Sequence, residues 1–223
     1  MDQYLPRLEP GESRRGLIQG PAGALEYRLD MPDSEPHAVA VICHPHPLFS
    51  GTMDNKVVYS LARSAQSCGL AALRFQFRGV GSSDGPHDKG VGEALDTAFM
   101  LGELRRIWPQ VPAFLMGFSF GAYMALKVAA ESDDVVGLIA IAPPLMYAGD
   151  AAVPQPHCPW LVIHGDADDV VAHDDTLERA RAMAQPPEFH TIAGVGHFFH
   201  GELTQLRSRV ETWLTARLAE SGD

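Results

Sequence analysis

The sequence predicts an α/β fold: a three-layer α/β/α sandwich on a mostly parallel sheet of roughly eight strands. Three observations carry this. Short apolar runs rich in β-formers recur along the chain, and their near-continuous apolarity suits strands buried on both faces. Segments of helical length with one apolar face alternate with them. The first two strands are joined by a tight Gly-Pro turn, which makes an antiparallel hairpin ahead of the parallel part. The organisation read from this is a loosely held N-terminal arm over residues 1–13, polar and punctuated by Pro and Gly, then a single domain over 14–223. That length is enough to enclose one sizeable core.

The elements follow in order. Gly16 to Ile18 and Leu25 to Leu29 are the hairpin strands, joined through Gly20-Pro21-Ala22-Gly23. Met31 to His37 is a polar loop. Ala38 to Cys43 is a buried strand and runs into His44-Pro45-His46-Pro47-Leu48-Phe49. Asp54 is expected to cap a helix whose apolar face is Val57, Val58, Leu61, Ala62 and Ala65, with Gly69 ending it. Leu70 to Phe75 is the next strand, and a turn-rich loop over Arg78 to Gly85 follows. Its Gly79-Val80-Gly81 lacks the spacing of a dinucleotide fingerprint. Gly92 to Ile107 is helical, with Ala94, Leu95, Ala98, Leu101, Leu104 and Ile107 at helical spacing, and Trp108-Pro109 stops it. Val111 to Met116 is a strand, Tyr123 to Ala130 a helix, Val135 to Ala142 a strand and Trp160 to His164 another. Asp175 to Met183 is helical and Glu188 to Ile192 is the last strand. Leu203, Leu206, Val210, Trp213 and Leu214 mark a closing amphipathic helix.

Charge and composition exclude several classes. The formal net charge is −11, which argues against nucleic acid or an anionic membrane as partners, since both call for a basic face. Cys43, Cys68 and Cys158 are odd in number, far apart and set among apolar residues, the pattern of buried free thiols. Met1 to Pro6 holds no basic stretch leading into an apolar run, so no signal peptide is expected. With no apolar run near the ~20 residues of a membrane span, a cytoplasmic protein is the expectation. Whether it is a monomer or a dimer is not legible.

The chemistry centres on Gly117-Phe118-Ser119-Phe120-Gly121, set between a strand and a helix. A Ser at such a turn is held in a strained conformation with its hydroxyl clear of the sheet. The helix start aims free amides at whatever that hydroxyl attacks. A hydroxyl is a poor nucleophile until a base takes its proton. His197, in the glycine-rich loop after the last strand, is the favoured base over its neighbour His200. The base needs a carboxylate to fix its tautomer. Asp166, Asp168 and Asp169 all follow one strand. Asp166 is suited to shaping the turn through its own backbone, while geometry leaves Asp168 and Asp169 unseparated. Ligands on parallel sheets sit at the carboxyl ends of the strands, and these loops all fall there.

From about Ala38 to Leu206 the chain resembles the α/β-hydrolase superfamily, above all its small serine hydrolases related to dienelactone hydrolases and carboxylesterases. The resemblance rests on His44-Pro45-His46-Pro47-Leu48, Arg78-Gly79-Val80-Gly81-Ser82, the Gly117–Gly121 turn, His164-Gly165-Asp166-Ala167-Asp168-Asp169 and Gly196-His197-Phe198. It implies the α/β-hydrolase fold and a triad of Ser119, Asp168 and His197, the acid falling third after Gly165. One departure is the nucleophile, which is Ser119 where dienelactone hydrolases carry Cys, so their particular substrate is not carried over.

An oxyanion hole needs two backbone N–H groups. Phe120, next after the nucleophile, supplies one. Pro45 and Pro47 have none to give, which leaves His46, Leu48 or Phe49 for the other. The resemblance implies His46. Two ring nitrogens in His44-x-His46 are too few for a metal site, and neither metal nor cofactor is expected. The 17 residues from Pro143 to Pro159 hold five prolines and no helical periodicity, so no lid domain is expected. Phe49, Met53, Leu145, Met146, Tyr147 and Phe198 are then candidates for a shallow apolar wall. These readings converge on a serine hydrolase, with a carboxylesterase for short- to medium-acyl small-molecule esters as the leading expectation. An acyl-peptide or amide hydrolase or a thioesterase would use the same triad, and a non-catalytic binding protein could share the fold. A dehalogenase is disfavoured because it needs a carboxylate at the elbow.

Overall fold

Two strands that reach the chain's first tight turn set the edge of the sheet. β1 (Ser13–Gly20) and β2 (Gly23–Asp30) pair antiparallel, with Gly20 opposite Gly23 and Ser13 opposite Asp30. Six further strands complete the sheet: β3 (Ala38–Cys43), β4 (Leu70–Phe75), β5 (Ala113–Phe118), β6 (Val135–Ile141), β7 (Trp160–Gly165) and β8 (Glu188–Ile192). Their spatial order is β1-β2-β4-β3-β5-β6-β7-β8. β2 joins β4 antiparallel and every later neighbour is parallel. This computed structural model describes residues 2–220. Met1 of the expected arm and Ser221 to Asp223 of the expected domain lie outside the described residues.

Every position of β3, β4, β5 and β7 is buried, which is why these strands read as unbroken apolar runs. Alternate side chains feed two cores, because successive residues of a strand point to opposite faces. Val39, Val41 and Leu115 meet α2 (Gly92–Ile107) and α3 (Phe120–Ala130) through Met100, Leu104, Ala122 and Leu126, and Ala180 of α4 (His173–Arg181) joins the same cluster. Ala40, Ile42 and Met116 meet α1 (Lys56–Ser67) and α5 (Leu203–Glu220) through Val58, Leu61, Leu206 and Val210. The middle layer is thus covered on both sides.

Four local expectations are corrected. The cap of α1 is Asn55, whose side chain accepts the Val57 amide at 2.9 Å, while Asp54 instead pairs with Arg15 at 3.3 Å. On α2 the apolar stripe turns inward only in part, at Leu101 and Leu104. Leu95 is 56% exposed, and the helix buries Glu93, Asp96 and Thr97 beside Met100, Leu101 and Leu104. Those carboxylates can be buried because both are satisfied. Asp96 takes a bidentate Arg78 at 2.7 and 3.0 Å, and Glu93 accepts the amides of Asp88 and Gly90 at 2.9 and 2.8 Å. The N-terminal segment is not loosely held. Leu5 and Leu8 enter the core, Leu5 donates its amide to Glu103 at 2.8 Å, and Arg106 donates to the Leu5 carbonyl at 2.6 Å. Finally, β5 runs two residues beyond its expected end, straight into the turn at Ser119.

Between β6 and β7 the segment from Pro143 to Pro159 holds one short 3-10 turn, Leu145–Ala148, and no lid. The three cysteines are free thiols, Cys43 and Cys158 buried and Cys68 partly exposed. Among the described residues no helix is long and apolar enough to cross a membrane.

Candidate active site

Ser119 sits between β5 and α3 at φ 54°, ψ −123°, a conformation that L residues rarely adopt. Two glycines make it possible. A Cβ on Gly117 would strike the Gly121 backbone, and one on Gly121 would strike the carbonyl oxygens of Cys43 and His44. The Ser119 amide is fixed by the Ile141 carbonyl at 2.8 Å, so the strain is held by the neighbouring strand. The residue is 8% exposed and lines a cavity.

His197 arrives from the loop between β8 and α5. Its Nε2 lies 3.0 Å from Ser119 Oγ and its Nδ1 lies 2.7 Å from Asp168 Oδ2. An Nδ1–H donated to the carboxylate leaves Nε2 free to accept the hydroxyl proton, which is the tautomer a general base needs. The ring packs on Phe118 at 4.9 Å between centroids. Asp168 is separated from Asp169 by the structure. The Asp168 side chain is fully buried, and its other oxygen accepts the amides of Val170 and Val171 at 2.9 and 2.8 Å. Burial pushes its pKa up, but the His197 bond, the two amides and the attraction of His197 outweigh burial and hold it below the usual carboxylate range. Asp169 is exposed and lines a neighbouring surface hollow that shares Val170, His197 and Phe198 with the site. Asp166, expected to act on its own turn, instead accepts the Gly194 amide at 2.6 Å and ties the Asp168 loop to the His197 loop. Behind them His164 is buried, with Nδ1 3.0 Å from the Gly165 carbonyl, and burial lowers its pKa. His200 makes no contact with Ser119; its ring lies by Phe198.

The loop after β3 has three non-proline amides that were open candidates for the second oxyanion donor. Two are spent locally: Leu48 N–H donates to His46 Nδ1 at 3.2 Å, and Phe49 N–H donates to the His46 carbonyl at 3.1 Å. The His46 amide has no partner among the described residues. Phe120 N–H, at the first position of α3, has no intrahelical acceptor either. The loop is set by His44, whose Nδ1–H donates to the Pro45 carbonyl at 2.6 Å while Nε2 accepts the Phe77 amide at 3.0 Å. Both nitrogens of His44 are thereby committed to the backbone, which leaves none for a metal.

A cavity of about 360 Å³ opens over Ser119 and His197. Of the six expected wall residues, Phe49, Met146, Tyr147 and Phe198 line it. Met53 and Leu145 are corrected: both are fully buried, Leu145 within the hydrophobic core and Met53 where its backbone is fastened to the side chains of Gln76 and Arg74. Pro144, Val170 and Val171 complete the apolar wall. No sequence pattern distinguishes these three from apolar residues of the core. Phe49 is 81% exposed, so the rim is apolar and open.

The family model described as serine aminopeptidase, S33, matches residues 34–156, and that of the dienelactone hydrolase family matches residues 106–213. An alpha-beta serine hydrolase homologue from Coxiella burnetii is 42% identical, covers 93% of this chain and 99% of its own, and superposes with a TM-score of 0.87. An α/β serine hydrolase without a lid from Xanthomonas campestris is 36% identical over 93% of this chain and 95% of its own, with a TM-score of 0.84. An uncharacterized protein of Rickettsia prowazekii is 32% identical over 207 residues, 88% of this chain and 87% of that one.

Proposed function

This chain belongs to the α/β serine hydrolases, and we propose that within that family it is a carboxylesterase acting on short- to medium-acyl esters. The observation that carries the reading is the unbroken relay from Ser119 through His197 to Asp168, at 3.0 and 2.7 Å, opening on an apolar cavity. Ser119 Oγ attacks the ester carbonyl as its proton passes to His197 Nε2. The amides of Phe120 and His46 hold the oxyanion. Collapse expels the alcohol, which takes the proton from His197 and leaves an acyl-Ser119. Water, deprotonated by His197, then attacks the acyl carbon, and the acid leaves as Ser119 recovers its proton. Asp168 keeps His197 in the working tautomer throughout.

Cleavage of peptide amides is the second reading, since one matching family model is described as an aminopeptidase. An aminopeptidase must recognise a free ammonium, and no Asp or Glu lines the cavity over Ser119. That favours an ester. The test compares p-nitrophenyl acetate with aminoacyl-anilides and labels the protein with a fluorophosphonate. Labelling at Ser119 with ester turnover, both lost in Ser119→Ala while the circular dichroism is unchanged, is the expected result. Near-normal ester turnover in Ser119→Ala would overturn it, and turnover of anilides alone would establish the second reading.

A further inference from the structure

A second cavity of about 470 Å³ adjoins the first, and His46 and Tyr147 belong to both walls. The His46 ring stands at the junction, 4.8 Å from the Phe120 ring and 4.9 Å from that of His87. A ligand whose carbonyl lies at Ser119 can extend past His46 and Phe120 into this space.

Its charge is unlike that of the rest of the molecule. The chain has three lysines, Lys56, Lys89 and Lys127, and a net charge of −11. Two of those lysines line this cavity, and no Asp or Glu does. Most arginines are neutralised, as Arg78 is by Asp96 and Arg106 by Glu103. Lys127 Nζ donates only to the Gly90 carbonyl, at 2.9 Å, and among the described residues neither lysine has a carboxylate partner. The loop presenting Lys89 is built rather than incidental. The buried Glu93 accepts the amides on both sides of Lys89, from Asp88 and Gly90, and lies 2.6 Å from His87. Lys89 itself is held at φ 52°, a backbone region sparsely used by non-glycine residues and concentrated at ligand sites. The Tyr123 and Tyr147 rings, which also line the cavity, meet edge-on at 5.7 Å. Burial pushes both phenols to higher pKa, so they stay protonated donors, and neither hydroxyl bonds another described residue.

We propose that the preferred esters carry a carboxylate on their non-reacting end, seated between Lys89 and Lys127 while Ser119 attacks the ester carbonyl. The carboxylate itself does not react. This rests on the esterase reading above, so the test separates the two. Turnover of mono-p-nitrophenyl glutarate is compared with that of p-nitrophenyl valerate, and 4-acetoxybutanoate with butyl acetate. The first pair places the carboxylate on the acyl side and the second on the alcohol side. The ratio of kcat/KM for the acidic over the neutral ester is expected to fall about threefold in Lys89→Gln or Lys127→Gln and about tenfold in the double variant, in at least one pair. Lys56→Gln should leave both ratios in place. A ratio within twofold of the unaltered protein's in the double variant for both pairs, or an equal fall in Lys56→Gln, overturns the proposal. Independently, glutarate is titrated calorimetrically into Ser119→Ala, where no chemistry occurs. Binding that weakens with Lys89→Gln in the absence of any ester turnover would remove the esterase reading and keep the anion site. Absence of both binding and ratio change removes the site.

Discussion

His44 accepts the Phe77 amide at 3.0 Å and so fastens the loop after β3 to the loop after β4. The same ring donates to the Pro45 carbonyl, and only a neutral imidazole does both. His44 is fully buried, and burial lowers its pKa to about 4. The stretch that carries the His46 amide is thus anchored by a side chain that resists protonation.

This sets a dependence of stability on pH. The ordinary His44 value is 6.5 and the folded value about 4, so between those pH values the unfolded chain binds more protons. Stability is then lost as pH falls through that window, by on the order of 3 kcal/mol from His44 alone. His46 and His164, also lowered by burial, act in the same direction. Urea midpoints at pH 7.5, 5.5 and 4.5 should fall in sequence, and His44→Gln should flatten the fall. A midpoint that stays level from pH 7.5 to 4.5 would contradict this account of His44.

Adjacent aspartates should behave differently. Asp168→Asn removes the carboxylate that fixes the His197 tautomer and should cost ~10³–10⁴-fold in kcat on p-nitrophenyl acetate. Asp169→Asn, on an exposed side chain with no bond to His197, should stay within a few-fold. Comparable losses in both would mean that the acid is misassigned.

Two glycine substitutions should move in opposite directions. Gly121→Ala places a methyl against the Cys43 and His44 carbonyl oxygens, so it should lower Tm and displace the Ser119 turn, with loss of turnover in whatever folds. Gly102→Ala, inside α2 with open space around the added atom, should stabilise by about 0.5–1 kcal/mol and leave turnover alone. Thermal melts read both, and a Gly121→Ala protein with unchanged Tm would show that the turn is less constrained than described.

Removing one partner of the buried Arg78–Asp96 pair should be costly. Asp96→Ala leaves the guanidinium without its carboxylate and should cost about 3–5 kcal/mol. Asp96→Leu combined with Arg78→Met should recover much of that loss. Denaturant titration decides, and a double variant no more stable than Asp96→Ala would mean that the pair does more than satisfy itself.

Much of this architecture was legible because its signals are local. Continuous apolar runs gave the parallel strands, and the order Ser119, Asp168, His197 placed three loops on one rim. What escaped depended on hydrogen-bond partners that apolar patterning does not reveal, several of them only two to five residues away. That α2 buries Glu93 and Asp96 was not legible, because both count as polar until the amides of Asp88 and Gly90 and the guanidinium of Arg78 are seen around them. Met53 and Leu145 read as wall candidates because apolarity alone does not distinguish rim from core. The resemblance already implied Asp168; what local geometry in the sequence did not give is the pair of Val170 and Val171 amides that turn this carboxylate inward. His46 was likewise implied by the resemblance, and the physical ground for it is that the Leu48 and Phe49 amides are already bonded.

The parallel sheet order has a temporal consequence. Ser119 and His197 are 78 residues apart, and their bond waits on the pairing of β5 with β6, β6 with β7 and β7 with β8. Each pairing closes a long stretch of chain, which makes such sheets slow to form. A refolding chain should therefore regain helix signal early and ester turnover late. The onset of activity is then a clock for completion of the sheet's far edge.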